Sequence, residues 1–122
     1  MAVLDTEQGQ FVCDGTTVVG LDGEIDIATA EGAFARISAA AADSCVVVDL
    51  SAVEFIDASG VNALVRALHA ATKAGHHLLL ARPSRQLTRI LDVLALTGLL
   101  RTHPDVAAAL TAHGGGDDGV PG

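Results

Sequence analysis

The feature that most limits the fold of this chain is a β-branched run, Val46-Val47-Val48-Asp49-Leu50, that is apolar at both sets of alternating positions. Successive side chains of a strand point to opposite faces of the sheet, so a run of this kind needs cover on both faces. The run therefore predicts a central strand over Cys45 to Leu50, in a sheet that has helices packed on it.

Three other segments have apolar residues at the period of an amphipathic helix. The most regular of them follows the central strand and ends before Gly75, a typical helix stop. Asp26 or Thr29 is expected to cap the first helix, and Pro83-Ser84 to begin the third. The predicted inward positions are Ala30, Ala33, Phe34, Ile37 and Ala41 in the first helix, Val61, Leu64, Val65 and Leu68 in the second, and Leu87, Ile90, Leu91 and Leu94 in the third.

An opening β-hairpin is predicted before these helices. Asp14-Gly15 is a strong two-residue turn signal between Phe11-Val12-Cys13 and the run from Thr16 to Leu21. Strands and helices that alternate after a hairpin predict an α/β fold, a mixed sheet with right-handed crossovers and packed helices. The remaining predicted segments are a strand over His77 to Ala81, a short edge strand over Leu99 to Thr102, and a last helix over Pro104 to Ala112 with its proline at the first helical position.

Length and charge limit the domain count and the partners. With 122 residues, half of them apolar, the chain is predicted to form one domain over residues 1–113, followed by a disordered glycine- and aspartate-rich tail over 114–122. The formal net charge of −8 argues against nucleic acid or an anionic membrane as a partner, because both attract cationic surfaces. The sequence has neither a secretion signal nor an apolar run that could span a membrane, so a cytoplasmic location is expected.

The cysteines and histidines predict no metal site. Cys13 and Cys45 lie far apart and match no zinc-ligand spacing, so both are expected to be small buried residues that remain thiols. The pair His76-His77 has no carboxylate pair near it in the sequence and is predicted to be solvated at the start of a strand.

Signals of catalysis are weak, and no catalytic residue is predicted. Ser59 lacks the G-x-S-x-G context of a hydrolase nucleophile, and Lys73, the only lysine, lies in no phosphate-binding loop. Asp26 and Asp57 are expected near strand ends, where turn capping accounts for them as well as acid–base chemistry does. A surface for a protein partner is the better interpretation.

That surface centres on Asp57-Ala58-Ser59-Gly60, at the predicted start of the second helix. The first N–H groups of a helix lack intrahelical partners and can hold an added phosphate, so Ser59 is either an N-cap or a modification site. Ser59 also begins a polar stripe, which is either a docking surface with Arg66 as ion-pair donor or an ordinary solvated face. The stripe consists of Ser59, Asn62, Arg66, His69 and Lys73.

Several segments, in their order and spacing, carry a resemblance to a known family. They are Leu21-Asp22-Gly23-Glu24-Ile25-Asp26 followed by Thr29-Ala30-Glu31, Val48-Asp49-Leu50-Ser51 leading to Phe55-Ile56-Asp57-Ala58-Ser59-Gly60, Gly75 before the strand His77 to Ala81, and Leu91 through Thr97-Gly98-Leu99. Together they resemble the STAS domain family, and within it the soluble anti-sigma factor antagonists of bacteria. The resemblance covers residues 10–112 and implies a mixed sheet layered with helices.

The resemblance also implies a phosphorylation switch. Ser59 falls on the second serine of the family motif Asp-Ser-Ser-Gly, which a serine-kinase anti-sigma factor phosphorylates, while Ala58 replaces the first serine. The unphosphorylated form binds the kinase and frees a sigma factor, and a PP2C-type serine phosphatase resets the switch. The histidine-kinase-like ATPase domain of the kinase supplies ATP and magnesium, so this chain is expected to hold no cofactor and to be no enzyme. The predicted partner-binding residues are Gly23, Glu24, Asp26, Asp57, Ala58, Ser59, Gly60, Asn62 and Arg66.

Two alternatives stay open. The first is a STAS regulatory subunit that works without phosphorylation, such as the partner of a transport ATPase, in which Ser59 is only a cap. The second is a sensor that holds a small apolar molecule or a nucleotide between sheet and helix. Three phenylalanines are the only aromatic residues, and no glycine-rich phosphate loop is present in the sequence, so the sensor is the weaker interpretation.

Overall fold

The computed structural model describes residues 3–5, 10–13 and 15–113, and the strands of these residues form one mixed sheet. The strands are β1 Val3–Asp5, β2 Gln10–Cys13, β3 Thr16–Ile25, β4 Cys45–Ile56, β5 Leu78–Ala81 and β6 Thr102–His103; the helices are α1 Ala30–Ala41, α2 Ala58–Lys73, α3 Arg85–Val93 and α4 Val106–Thr111. The strands lie across the sheet in chain order. Neighbouring strands are antiparallel from β1 to β3 and parallel from β3 to β6, with one helix in each parallel connection. The predicted α/β class is confirmed.

The opening hairpin forms as predicted. Phe11 pairs with Val18 and Cys13 with Thr16 in antiparallel register. Gly15 lies in the turn with φ +79°, a left-handed conformation that glycine adopts without steric cost. The strand β1, which the sequence analysis did not predict, adds a further antiparallel partner to β2.

The central strand β4 is covered on both faces, as its composition predicts. Val46, Val48 and Leu50 belong to the larger apolar cluster, to which α1, α2 and α3 contribute side chains. Val47 points to the other face and joins a smaller cluster with Ala109 of α4. This alternation places three helices on one side of the sheet and α4 on the other.

The strand β4 is longer than its apolar run. The prediction ended it at Leu50, whereas pairing with β3 continues to Ile56 through exposed residues such as Glu54. Register shifts after Gly20 and Gly23 let β4 hold 12 residues against the 10 of β3, so β4 bulges twice beside its partner. Backbone pairing rather than apolar alternation extends this strand, which explains why its second half has no strand-like pattern.

The third helix is shorter than predicted. Leu87 and Leu91 are buried on its inner face, as expected, but the helix ends at Val93. The chain then turns through Ala95 at φ +58°, and the side chain of Leu94 is 51% exposed. The inward placement of Leu94 is therefore wrong, because the helical period stops before that residue.

The predicted edge strand is displaced along the chain. The prediction covered Leu99 to Thr102, whereas β6 pairs with β5 only at Thr102 and His103. Leu100 is fully buried in the larger apolar cluster instead of following the edge. Leu100, a buried apolar residue in a turn, was thus mistaken for part of a strand.

The last helix begins later than its proline suggested. Pro104 was expected at the first helical position, but α4 begins at Val106. Asp105 is the N-cap, and its Oδ1 accepts the backbone N–H of Ala108 at 2.7 Å. A carboxylate at the N-cap satisfies a free helical N–H, which proline cannot do.

Two predictions lie outside the described part of the chain. They concern the tail over 114–122 and the side chain of Cys13. Within the described residues, no helix combines the length and the apolar character that crossing a membrane requires.

Candidate functional site

The carboxyl ends of β3 and β4 lie side by side. Ile25 and Ile56 are register partners, and the backbone N–H of Asp57 donates to the carbonyl oxygen of Ile25 at 3.3 Å. Asp26 follows β3 and Asp57 follows β4, so the two loops begin at the same edge of the sheet. In open α/β sheets, ligands commonly bind outside the carboxyl ends of strands. The candidate site is therefore formed by these loops and the first turn of α2.

Asp57, and not Ser59, is the N-cap of α2. Asp57 has an extended backbone, and its Oδ1 accepts the N–H groups of Ser59 at 2.9 Å and Gly60 at 3.2 Å. Ser59 is the second residue of the helix, so the N-cap interpretation of this serine is wrong. Among the described residues, none hydrogen-bonds to the Ser59 hydroxyl, which is partly exposed. The hydroxyl is therefore free of a capping role in the first helical turn.

Gly60 lets α2 begin directly against the two strand ends. A Cβ at this position would lie 2.6 Å from the carbonyl oxygen of Ile25 and 2.5 Å from Cγ1 of Ile56. Both distances are shorter than van der Waals contact, and the first of them involves backbone. Glycine at this position thus fixes how closely the turn that carries Ser59 approaches the sheet.

Asp26 orders the neighbouring loop. Its Oδ1 accepts the N–H groups of Ala28 at 2.9 Å and Thr29 at 3.3 Å, while its own N–H donates to Thr29 Oγ1 at 2.9 Å. The Thr29 hydroxyl donates to the carbonyl oxygen of Glu24 at 2.6 Å. Thr29 is the boundary residue of α1, but its side chain makes no capping bond to the helix. Both aspartates of the site thus hold backbone N–H groups, which supports the turn-capping interpretation of each.

Two exposed apolar side chains lie in this region, and the sequence analysis did not select them as site residues. Ile27, directly after Asp26, is 83% exposed, and Phe55, just before the end of β4, is 41% exposed. Phe55 is the register partner of Glu24, which follows Gly23 at φ +67°. The sequence did carry a signal for Ile27. This isoleucine lies in a capped turn and belongs to the apolar face of no helix, which indicates an exposed apolar side chain.

Arg66 is held by α1. Its Nη2 donates to Glu31 Oε1 at 3.0 Å, and its guanidinium carbon lies 4.3 Å from the centre of the Phe34 ring. This ion pair and cation–π contact fix α2 against α1. Asn62, His69 and Lys73 are exposed on the same helix, so the polar stripe exists, and Arg66, the ion-pair donor expected for a partner, is paired with Glu31 in this structure.

A family model identifies this architecture. The model for the STAS domain matches residues 12–109, which include all the parallel strands and both loops of the candidate site. The chain belongs to the STAS domain family.

Solved structures similar to this STAS domain include anti-sigma factor antagonists and part of an anion transporter. An anti-sigma factor antagonist from Mycobacterium paratuberculosis is 32% identical, with 84% of this chain and 89% of that chain covered and a TM-score of 0.69. The anti-sigma factor antagonist SpoIIAA, in its unphosphorylated form, is 21% identical over 85% of this chain and 92% of its own, with a TM-score of 0.69. The murine anion transporter Slc26a9 is 19% identical, with 82% of this chain but 18% of the transporter covered and a TM-score of 0.68. The last two likenesses show the fold alone. No curated protein sequence matches the chain.

Carboxylates lie at the ends of both strands that form the candidate site of this STAS domain. Glu24 and Asp26 lie on one side of the site, and Asp57 lies directly beside the first turn of α2. The N–H groups of Ser59 and Gly60 are already bonded to Asp57, so two donors of the helix N-terminus are occupied. Two of the N–H groups that were expected to hold an added phosphate are thus bonded to Asp57 in the unphosphorylated chain.

The predictions for Cys45 and His77 also require correction. Cys45 is only partly buried, and its Sγ accepts the backbone N–H of His77 at 3.2 Å. The ring of His77 is exposed but contacts the ring of His113, with 5.2 Å between the ring centres. His76 is half-buried, and its Nδ1 lies 2.6 Å from the carbonyl oxygen of Ala41. Neither histidine of the pair is simply solvated.

Proposed function

We propose that this STAS domain is an anti-sigma factor antagonist with a phosphorylation switch at Ser59. Its unphosphorylated form binds a serine-kinase anti-sigma factor and frees the sigma factor, and phosphorylation of Ser59 ends that binding. The single observation that carries this proposal is the hydroxyl of Ser59, which lies partly exposed in the first turn of α2 and caps nothing. A hydroxyl with no structural task at a strand–helix junction is accessible to a kinase.

The contacts around Ser59 support a docking surface for a protein. Ile27 and Phe55 offer exposed apolar area, while the capped loops beginning at Asp26 and Asp57 are held in place by backbone hydrogen bonds. Apolar side chains on an ordered surface, with a polar rim, are typical of interface centres. Asn62, exposed one turn after Ser59, extends this surface along α2.

Charge explains how a phosphate would release the partner. A phosphoserine adds about −1.5 to −2 charges, and at Ser59 it would lie beside the carboxylate of Asp57. The donors of Ser59 and Gly60 that could neutralise the phosphate are bonded to that carboxylate. Burying such a group against apolar partner atoms requires desolvation of two neighbouring negative charges. The neutral hydroxyl requires no such desolvation.

The likeness to the Mycobacterium paratuberculosis antagonist, at 32% identity over most of both chains, adds independent support. In the proposed cycle, the kinase supplies ATP, magnesium and the catalytic base, and a PP2C-type serine phosphatase removes the phosphate. The STAS domain is then a substrate and a ligand without a cofactor of its own. The alternative of a regulatory STAS subunit without phosphorylation requires the same fold, so only phosphate transfer separates the two.

Phosphate mapping tests this proposal. The full chain is incubated with the purified anti-sigma factor kinase of the same organism and with ATP and magnesium, and phosphopeptides are identified by mass spectrometry. One phosphate on Ser59 is expected, and Ser59→Ala should accept none. Ser51→Ala is the matched control, because Ser51 is an exposed serine on β4 outside the proposed site. Phosphate found on other hydroxyls, or none in wild type with an active kinase, would contradict the proposal.

A further inference from the structure

Three potential metal ligands converge at the end of the sheet opposite Ser59. Cys45 is the first residue of β4, His77 directly precedes β5, and His113 follows α4. They are therefore at the amino-terminal edge of the parallel strands, whereas Ser59 follows the carboxyl end of β4. The 12 residues of β4 separate the two ends by up to about 36 Å at 3.3 Å per residue.

Two of the three separations between the ligand atoms match those of a tetrahedral metal site. Nδ1 of His77 lies 3.7 Å from Sγ of Cys45 and 3.2 Å from Nε2 of His113, and all three atoms lie within 4.8 Å of one another. Zinc bonds of about 2.3 Å to sulfur and about 2.05 Å to nitrogen, at tetrahedral angles, place S and N about 3.6 Å apart and two N atoms about 3.35 Å apart. Both measured distances therefore match those of a zinc site to within about 0.2 Å.

We propose that Cys45, His77 and His113 bind a transition-metal ion, with Zn²⁺ as the preferred species. One thiolate and two imidazoles form a soft and borderline donor set that suits zinc and not magnesium or calcium. Water completes the tetrahedral coordination. The ion connects the end of α4 to the first residue of β4 and to the residue before β5, and so holds α4 on its face of the sheet.

Contacts around the three ligands support the same assignment. The backbone N–H of His77 donates to Cys45 Sγ at 3.2 Å, which holds the sulfur atom beside the His77 ring. Nδ1 of His113 lies 3.5 Å from Oγ1 of Thr16, a residue that is 2% exposed. A proton on that nitrogen leaves Nε2 free to face the metal. Histidines that bind a metal usually donate their other ring N–H to a neighbouring group in this way.

Cobalt spectroscopy tests the site directly. The full chain, without an affinity tag, is reduced, freed of metal and titrated with Co²⁺. One equivalent should produce the charge-transfer band of a cobalt–thiolate bond together with the visible bands of tetrahedral cobalt, and Zn²⁺ should displace the cobalt. A titration of the folded wild-type protein that produces no thiolate band would overturn the proposal.

Variants assign the ligands. Cys45→Ser should remove the charge-transfer band, and His77→Ala or His113→Gln should weaken Co²⁺ binding at least tenfold. His69→Ala is the matched control, because His69 is exposed on α2 and lies outside the cluster. Saturating Zn²⁺ should also raise the thermal midpoint of wild type by several degrees, and that of Cys45→Ser by much less. Equal metal affinity of wild type and all three ligand variants, with circular dichroism showing them folded, would refute the assignment.

Discussion

The two ends of the parallel strands differ in how the chain assembles them. At the carboxyl end, consecutive residues from Asp57 to Gly60 supply the helix cap, the free hydroxyl and the glycine that permits close packing. At the amino-terminal end, Cys45, His77 and His113 come from three separate segments. The first site is visible in the sequence as a motif, and the second becomes visible only when the topology brings its members together. A site made of consecutive residues can be recognised in the sequence, whereas a site made of distant residues cannot, whatever their chemistry.

The two ends also differ in what their side chains do. Carboxylates at the Ser59 end hold backbone N–H groups, and apolar side chains remain exposed beside them. Side chains at the Cys45 end contact one another across strands. The first arrangement suits the proposed protein partner, whereas the second groups three potential ligand atoms within 4.8 Å of one another.

The largest effect on stability is expected from Gly60→Ala. Its Cβ would overlap the Ile25 carbonyl oxygen, so α2 must move away from the sheet, at about 2–3 kcal/mol of unfolding free energy. Gly32→Ala is the matched control: its Cβ meets nothing within 4 Å inside α1, and the replacement should stabilise the domain by about 0.5–1 kcal/mol. Urea denaturation measures both. Equal effects of the two replacements would disprove the close contact.

A smaller effect is expected from loss of the α2 cap. Asp57→Ala removes the acceptor of two N–H groups and should destabilise the domain by about 1–2 kcal/mol. Ser59→Ala should change the unfolding free energy by less than about 0.5 kcal/mol, because the serine caps nothing. The reverse order in thermal or urea unfolding would restore the cap role to Ser59.

The contact between α1 and α2 should be weaker still. Arg66→Glu removes the ion pair with Glu31 and the stacking on Phe34, and should destabilise the domain by about 1 kcal/mol, since the ion pair is largely exposed to solvent. Asn62→Ala, at an exposed position, should leave stability unchanged. If Arg66→Glu weakens kinase binding, Glu31→Ala is the matching variant. An equal loss of kinase affinity in Glu31→Ala would show that the effect arises from the broken contact with α1. An unchanged unfolding midpoint for Arg66→Glu would show that the contact contributes nothing.

The smallest effect is expected when a substitution at one end of the parallel strands is measured by binding at the other end. Because β4 separates them by its whole length, Ser59→Asp should leave Co²⁺ affinity within about twofold, and Cys45→Ser should leave kinase affinity within about twofold. Cobalt titration and calorimetry provide the two values. A larger change in either one would mean that the ends are coupled through the sheet.

The sequence predicted much of the fold because its signals were local. The hairpin turn, the two-sided run of β4 and the helical period of α2 each depend on neighbouring residues, and all three are confirmed. The second half of β4 was missed because pairing with β3, and not its own pattern, makes it a strand. Leu94 was misplaced because a helical period does not show where the helix ends.

The candidate site was predicted in part. The tetrapeptide from Asp57 to Gly60 marked its place, but two residues compete for one cap, and only the backbone geometry assigns it to Asp57. The engagement of Arg66 by Glu31 joins residues of different helices, which no spacing along one helix reveals. The proposed metal ligands come from three separate segments, so no spacing along the chain reveals them either.

The central claim is tested most directly by the affinity of one kinase for two forms of this domain. Isothermal titration compares the unphosphorylated chain with the chain carrying one phosphate on Ser59. The phosphate should weaken binding by about 2–4 kcal/mol, the scale of like charges a few ångströms apart at an effective dielectric near 20, or roughly 30-fold to 1000-fold in affinity. Ser59→Ala should bind like the unphosphorylated chain. Equal affinity of the two forms would contradict the account.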